Sequence, residues 1–176
     1  MATTDNPLSP NAKCTVCKPP GSAKTIQAAS IFLAGSIERG KAIDWQTALT
    51  KKLEHLPITV FNPRRDDWDN SWEEDISNPQ FKEQVDWELD QMAAADVTAV
   101  CFVADTSSPI TLMELGLRAR DGKVVVCCPK GFWKRGNVQV VCHRFGITLV
   151  DTVEELAEEA IKKLEKCMEE RKGAVV

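Results

Sequence analysis

Short apolar runs and longer stretches of helical period alternate along most of this chain. Residues 30–34 (Ser-Ile-Phe-Leu-Ala), 58–61, 97–103, 124–128 and 147–150 are compact and apolar, as buried strands are. Between them, residues 41–56 carry Ile43, Ala48, Leu49 and Leu53 at helical spacing, and residues 79–95 form a second periodic stretch opened by a proline. A third helix is expected from Pro109 to the Asp121-Gly122 break, a short one over 137–145 and a charged one over 152–171. Strands alternating with helices predict a parallel sheet covered on both faces. Five strands give a single α/β domain, doubly wound and flavodoxin-like or Rossmann-like, with strand order 2-1-3-4-5. Residues 29–176 are assigned to that domain. Residues 1–28 hold Pro, Ser and Lys without periodicity and read as a mobile tail.

Ligands of such sheets sit at the carboxyl ends of the strands, so the residues just after each strand are the candidates for chemistry. After the strand at 97–103 come Asp105-Thr106-Ser107-Ser108-Pro109, with Ser108 a suitable N-cap and Pro109 a suitable first helical residue. Glu114 then falls about two turns into the helix, among Ile110, Leu112, Met113, Leu115 and Leu117. A carboxylate in such company is costly to bury unless something uses it. On the preceding helix the apolar stripe is Phe81, Val85, Leu89 and Met92, and Glu88 falls on it, a candidate proton donor. Two carboxylates at one sheet end suit glycosyl transfer, in which one attacks the anomeric carbon and the other handles the leaving group's proton.

The first strand ends in Ala34-Gly35-Ser36-Ile37-Glu38-Arg39-Gly40. There Gly35 lets the backbone approach a ligand, or simply makes a tight turn, and Ser36 can donate a hydrogen bond. The second strand runs into a loop from Asn62 to Trp72 that mixes Asp67, Trp68 and Trp72 with Arg64 and Arg65. Aromatic faces and Asn or Asp side chains are the groups that read a planar base, while Arg–Asp pairs within the loop are the plainer account.

Charge and cysteine content narrow the partners. Formal charge is -4, from 22 basic and 26 acidic residues, which argues against binding polymeric nucleic acid but not against a small nucleoside. There is no membrane-length apolar run and no secretion signal, and seven cysteines fit a reduced, cytoplasmic protein. Cys14-Thr15-Val16-Cys17 is a lone CxxC, and His55 and His143 are not paired at metal spacing, so no metal or other cofactor is expected. Neither GxGxxG nor GxxxxGK[ST] is present, so no dinucleotide or ATP site is expected.

Over residues 30–150 the motifs resemble the nucleoside 2-deoxyribosyltransferase family, most specifically the strand at 97–103 followed by Met113-Glu114-Leu115-Gly116. The resemblance implies that Glu114 is a nucleophile forming a covalent deoxyribosyl intermediate, and that Glu88 is the family's second acidic residue. It also implies that Asn137 is offered to a neighbouring subunit's site, hence a homo-oligomer. The chain departs from the pattern too. Where the transferases carry an acid six positions before the nucleophile, this chain has Ser108, as the related 2-deoxynucleoside 5-phosphate N-hydrolases do. Serine at a helix N-terminus suits a phosphate, and Asp105 is then a candidate for the sugar. The chain has no tyrosine, and Phe32 stands near where one is expected. The expected activity is N-glycosidic cleavage of a 2-deoxynucleoside, with a free base as acceptor (transfer) or water (hydrolysis). A non-catalytic nucleotide-binding sensor and, more remotely, a flavodoxin-type electron carrier are the alternatives from other classes.

Overall fold

The computed structural model describes residues 13–23, 25–38 and 42–173. Six parallel strands form one sheet: β1 (Thr15–Cys17), β2 (Ala29–Gly35), β3 (Ile58–Phe61), β4 (Val97–Cys101), β5 (Val124–Cys127) and β6 (Thr148–Val150). Five helices connect or follow them: α1 (Trp45–Leu53), α2 (Pro79–Ala94), α3 (Pro109–Arg118), α4 (Arg135–Phe145) and α5 (Val153–Gly173). The strand order is β1-β3-β2-β4-β5-β6. Without β1 it is the expected 2-1-3-4-5.

The sixth strand corrects the expected count of five. Thr15, Val16 and Cys17 lie in the stretch expected to be a tail, yet they pair with Thr59, Val60 and Phe61 of β3. Asn62 then donates its backbone N–H to the Cys17 carbonyl at 2.9 Å. Three residues between polar and proline-rich flanks carry no readable period. Residues 1–12 of the expected tail lie outside the described residues. The pairing also settles the CxxC. Cys17 packs with Phe61 and Trp87 on one face of the sheet, while Cys14 packs against the core of the other. Positions three apart along a strand point to opposite sides, so the two thiols do not face each other.

Alternation within the strands builds two cores. Phe32, Ala34, Phe61, Val100 and Val126 face α2, α3 and α4, whereas Ile31, Leu33, Val60, Ala99 and Val125 face α1 and α5. Local signals start and stop the helices. Asp44 caps α1 through the Thr47 N–H at 3.1 Å, and Asn78 caps α2 through Gln80 and Phe81, ahead of Pro79. Thr152 and Glu155 form a reciprocal capping box at α5, and Gly146 at φ 64° ends α4. Among the described residues no helix is long and apolar enough to cross a membrane.

Candidate active site at the carboxyl end of the sheet

Glu88 on α2 and Glu114 on α3 lie over the same face of the sheet, beside Trp87 and Leu115 of that core. Glu114 is only 7% exposed. Burial, and then the charge of Glu88, push its carboxyl up to about 8. Burial pushes Glu88 up to about 7, against the opposing pull of a hydrogen bond from Gln84 Nε2 to Glu88 Oε1 at 2.8 Å. Two acids that feel each other's charge titrate as a pair. Near neutral pH such a pair holds about one proton and one negative charge.

The helix faces that place them differ from the predicted ones. On α3 the apolar Ile110, Met113 and Leu117 point outward, each more than half exposed, while Thr111, Glu114 and Leu115 are buried. On α2 Leu89 is exposed and the inward residues are Gln84, Trp87 and Met92. Glu88 is half-buried, next to Trp87. In both helices polar side chains face in. Gln84 Nε2 also donates to the Pro63 carbonyl at 3.0 Å, which ties the loop after β3 to Glu88.

A second cluster closes the N-terminal end of α3. Ser36 Oγ lies 2.6 Å from Ser108 Oγ and 2.9 Å from Thr106 Oγ1, and Ser108 and Thr106 are 2.9 Å apart. The Val103 N–H donates to Ser36 Oγ, and Thr106 Oγ1 donates to the Val103 carbonyl. Ser108 thus occupies the N-cap position at φ 48° without capping the helix through its side chain, contrary to expectation. Glu38 Oε1 instead accepts the backbone N–H groups of Ser107, at 2.7 Å, and Ser108, at 3.0 Å. Arg39, Gly40 and Lys41, which follow in the predicted loop and helix start, lie outside the described residues.

Gly35 is required by internal packing. A Cβ there would lie 2.4 Å from the Cys101 carbonyl oxygen and 2.5 Å from the Trp45 indole, which itself donates to the Ser36 carbonyl at 3.0 Å. Neither neighbour can yield easily. Gly35→Ala is expected to destabilise the fold by about 2 kcal/mol or more, read as a lowered denaturant midpoint at unchanged m-value.

The remaining predicted residues lie apart from these clusters. Asn62 is buried at the end of β3, and its Oδ1 accepts the Arg64 N–H at 3.0 Å. Asp67 is exposed and bridged to Arg65 at 2.7 Å. Arg65 also reaches Glu83 and lies over the Trp72 ring, which packs edge-on against Trp68. The loop tip is therefore held by its own Arg–Asp pair, the plainer of the two sequence readings. Asp105, at φ 59°, and Asn137, the third residue of α4, are both exposed. Phe32 is fully buried with its ring 6.4 Å from that of Trp87. Sequence reasoning missed Glu38, Gln84 and Thr106. Gln84 had a signal, four residues before Glu88 and hence on its face. Glu38 and Thr106 act through contacts that span about seventy positions, for which the sequence carries no pattern.

No curated protein matches this sequence. Among solved structures, a conserved protein from Enterococcus faecalis V583 superposes with a TM-score of 0.55 at 15% identity, covering 77% of this chain and 98% of that one. That likeness shows the α/β fold. The sequence model of the family described as Nucleoside 2-deoxyribosyltransferase like matches residues 28–132, more than half of the 176, spanning Ser36, Glu88, Ser108 and Glu114. The chain belongs to the nucleoside 2-deoxyribosyltransferase-like family.

Proposed function

We propose that this protein cleaves the N-glycosidic bond of a 2-deoxynucleoside, with a second free base as acceptor and water as the alternative one. The observation that carries the reading is the pair of desolvated carboxylates, Glu114 at about 8 and Glu88 at about 7. Glu114 attacks the anomeric carbon and holds the sugar as an ester while the base leaves. Glu88 gives its proton to the departing base and takes one back from the incoming nucleophile. The mechanism needs the single proton on Glu88 and the charge on Glu114, the reverse of the order in which the two carboxyls hold their protons in the free site, where Glu114 at about 8 outlasts Glu88 at about 7. Positive charge developing on the sugar beside Glu114 favours that arrangement. Gln84 acts as a positioning residue that aims Glu88. The base of the Asn62–Trp72 loop borders the pair through Pro63 and recognises the nucleobase, with Asp67 and Trp68 turning in when it binds. The chemistry needs no metal or redox cofactor.

The test is chromatography of the protein incubated with 2-deoxynucleosides and a second free base. A new nucleoside establishes transfer, and free base with free sugar establishes hydrolysis. Absence of both, with ligand-induced thermal stabilisation, turns the reading to a nucleotide-binding sensor.

The pH profile follows from the same pair. Below about 7 both acids are protonated and the nucleophile is lost; above about 8 both are charged and the proton donor is lost. Activity is expected to peak between those limits and to fall on both sides. Glu88→Gln should remove the alkaline limb and move the acid limb to lower pH, because it deletes the charge that raises Glu114.

We also infer a homo-oligomer built on the outward apolar stripe of Ile110, Met113 and Leu117, with exposed Val140 and Phe145 of α4 nearby in character. Asn137 then reaches a neighbour's site. Met113→Glu is expected to release monomers in sedimentation velocity, and an unchanged sedimentation coefficient would remove this part.

A further inference from the structure

We propose that residues 17–21, the stretch leading out of β1, are a strap that shapes the nucleobase side of the site: the Gly21 carbonyl fixes Trp87, and through it the placing of Glu88, while Lys18 latches the loop over 62–72. This rests on the glycosidic-cleavage reading above, in which Glu88 serves the leaving base, and adds positioning residues to it. The strap lies before residue 28, where the family match begins.

Beyond the ladder of β1 and β3, the hydrogen bonds and the ion pair that residues 17–21 make with the rest of the described residues all land on that side of the site. Asn62, the residue after β3, gives its N–H to the Cys17 carbonyl at 2.9 Å. Lys18 Nζ pairs at 2.5 Å with Asp66, further into the same loop. Trp87 Nε1 donates to the Gly21 carbonyl at 2.6 Å, and that oxygen also accepts the Cys17 thiol at 3.3 Å. Pro63, next to Asn62, is meanwhile held from α2 by Gln84. Loop and helix are thus fastened to each other directly and, a second time, through the strap. The Lys18–Asp66 pair is exposed and adds little to stability; its consequence is where the loop rests.

Trp87 is the lever. It is buried, with its ring 6.4 Å from those of Phe32 and Phe61. A buried indole N–H needs a partner, and this one finds it 66 positions away, in the strap. Holding the ring and its N–H together sets how α2 is turned about its axis at this point, and the next residue is Glu88. That turn decides how dry the Glu88 carboxyl is, and dryness is what raises it to about 7. Gly21 lets the strap reach. Its N–H closes a turn on the Lys18 carbonyl at 2.9 Å, and a Cβ would lie 2.9 Å from that same backbone oxygen. A side chain there opens the turn and draws the Gly21 carbonyl off the indole.

The experiment measures base release from a 2-deoxynucleoside by wild type, Trp87→Phe, Gly21→Ala, Lys18→Glu and the reversed pair Lys18→Glu/Asp66→Lys. Trp87→Phe keeps an aromatic ring and removes the N–H, and Gly21→Ala disturbs the same contact from an exposed turn, which keeps the test open if the first variant fails to fold. Both are expected to move the alkaline limb of the pH profile to lower pH by about 1 unit or more, as a better hydrated Glu88 requires, and to lower kcat more than they raise KM. Lys18→Glu is expected to raise KM about fivefold at nearly constant kcat, and the reversed pair to restore it. An alkaline limb that stays in place in Trp87→Phe and Gly21→Ala overturns the hold on Glu88, and a KM that Lys18→Glu leaves unchanged overturns the hold on the loop. A further readout needs no turnover: the titration of the Glu88 carboxyl by NMR, its resonance identified with Glu88→Gln. The midpoint should fall in Trp87→Phe and Gly21→Ala. A falling midpoint in a protein whose wild type releases no base would retain the strap and sink the glycosidic reading. A fixed midpoint beside active base release would sink the strap alone.

Discussion

Glu114→Ala and Glu114→Gln are each expected to abolish base release, with a loss of at least about 1000-fold in kcat, equivalent to about 4 kcal/mol of barrier. A loss of that size is expected of a residue that forms a bond, as proposed for Glu114, and not of one that only stabilises charge. Glutamine keeps the size of the side chain and its place beside Thr111 and Leu115, both buried on the same face. A folded, soluble Glu114→Gln protein with the secondary structure of wild type therefore isolates the chemistry from the packing. The measurement is single-turnover release of base from a 2-deoxynucleoside. Release at wild-type rate by either variant would remove Glu114 from the mechanism. Loss in the alanine variant alone would reduce it to a packing role.

The same substitution is expected to stabilise the protein, increasingly as pH rises from about 4.5 and most fully above about 8. In the folded chain Glu114 holds its proton up to about 8, whereas the ordinary value is 4.5. A carboxyl raised on folding favours the folded state fully at pH below its ordinary value. That contribution is lost as pH rises towards 8, because the unfolded chain ionises freely while the folded one cannot. Each pH unit of the interval corresponds to about 1.4 kcal/mol, so the loss amounts to several kcal/mol. Glutamine has nothing to ionise. Glu114→Gln should then melt about 5 °C or more above wild type at pH 8.5, and close to it at pH 5. Melting curves of the two proteins at both pH values decide the matter. Equal differences at the two values would mean that Glu114 carries no buried-charge penalty. A protein that gives up stability to keep an acid in a dry place is behaving as enzymes do around their reacting groups.

The frame of the fold is legible in the sequence because two periods are. Strand-length apolar runs ended by Gly35, by Asn62-Pro63 and by Pro129 were separable from helical stretches, and the order of strands follows from short right-handed crossovers. β1 was not legible, because its three residues become a strand only by lying along β3. Glu88 and Glu114 were singled out by an argument about apolar faces, which holds for Met92, Leu112 and Leu115 and fails elsewhere on those faces. Ile110, Met113, Leu117 and Leu89 point out, while Gln84, Thr111 and Glu114 point in. The rule that apolar residues face inward describes a helix covering a core, and it fails where a helix covers a site. The Glu38 contact with Ser107 and Ser108 was beyond reach for another reason: it joins the turns after two different strands, and each turn alone reads as a plain loop.

The hydroxyl cluster has a consequence for how the molecule comes into being. Ser36 meets Thr106 and Ser108 across 70 and 72 positions, and its backbone N–H is held by the Cys101 carbonyl. Contacts of that span form late, after the intervening chain has lost most of its freedom. A nascent chain that has emerged only through α2 has no β4 for β2 to lie against and no α3 to bring Glu114 to Glu88. The proposed reactivity would thus arrive with the closing of the sheet. A truncated copy that lacks β4 is therefore expected to show none of the proposed base release, whatever share of its helices it has already formed.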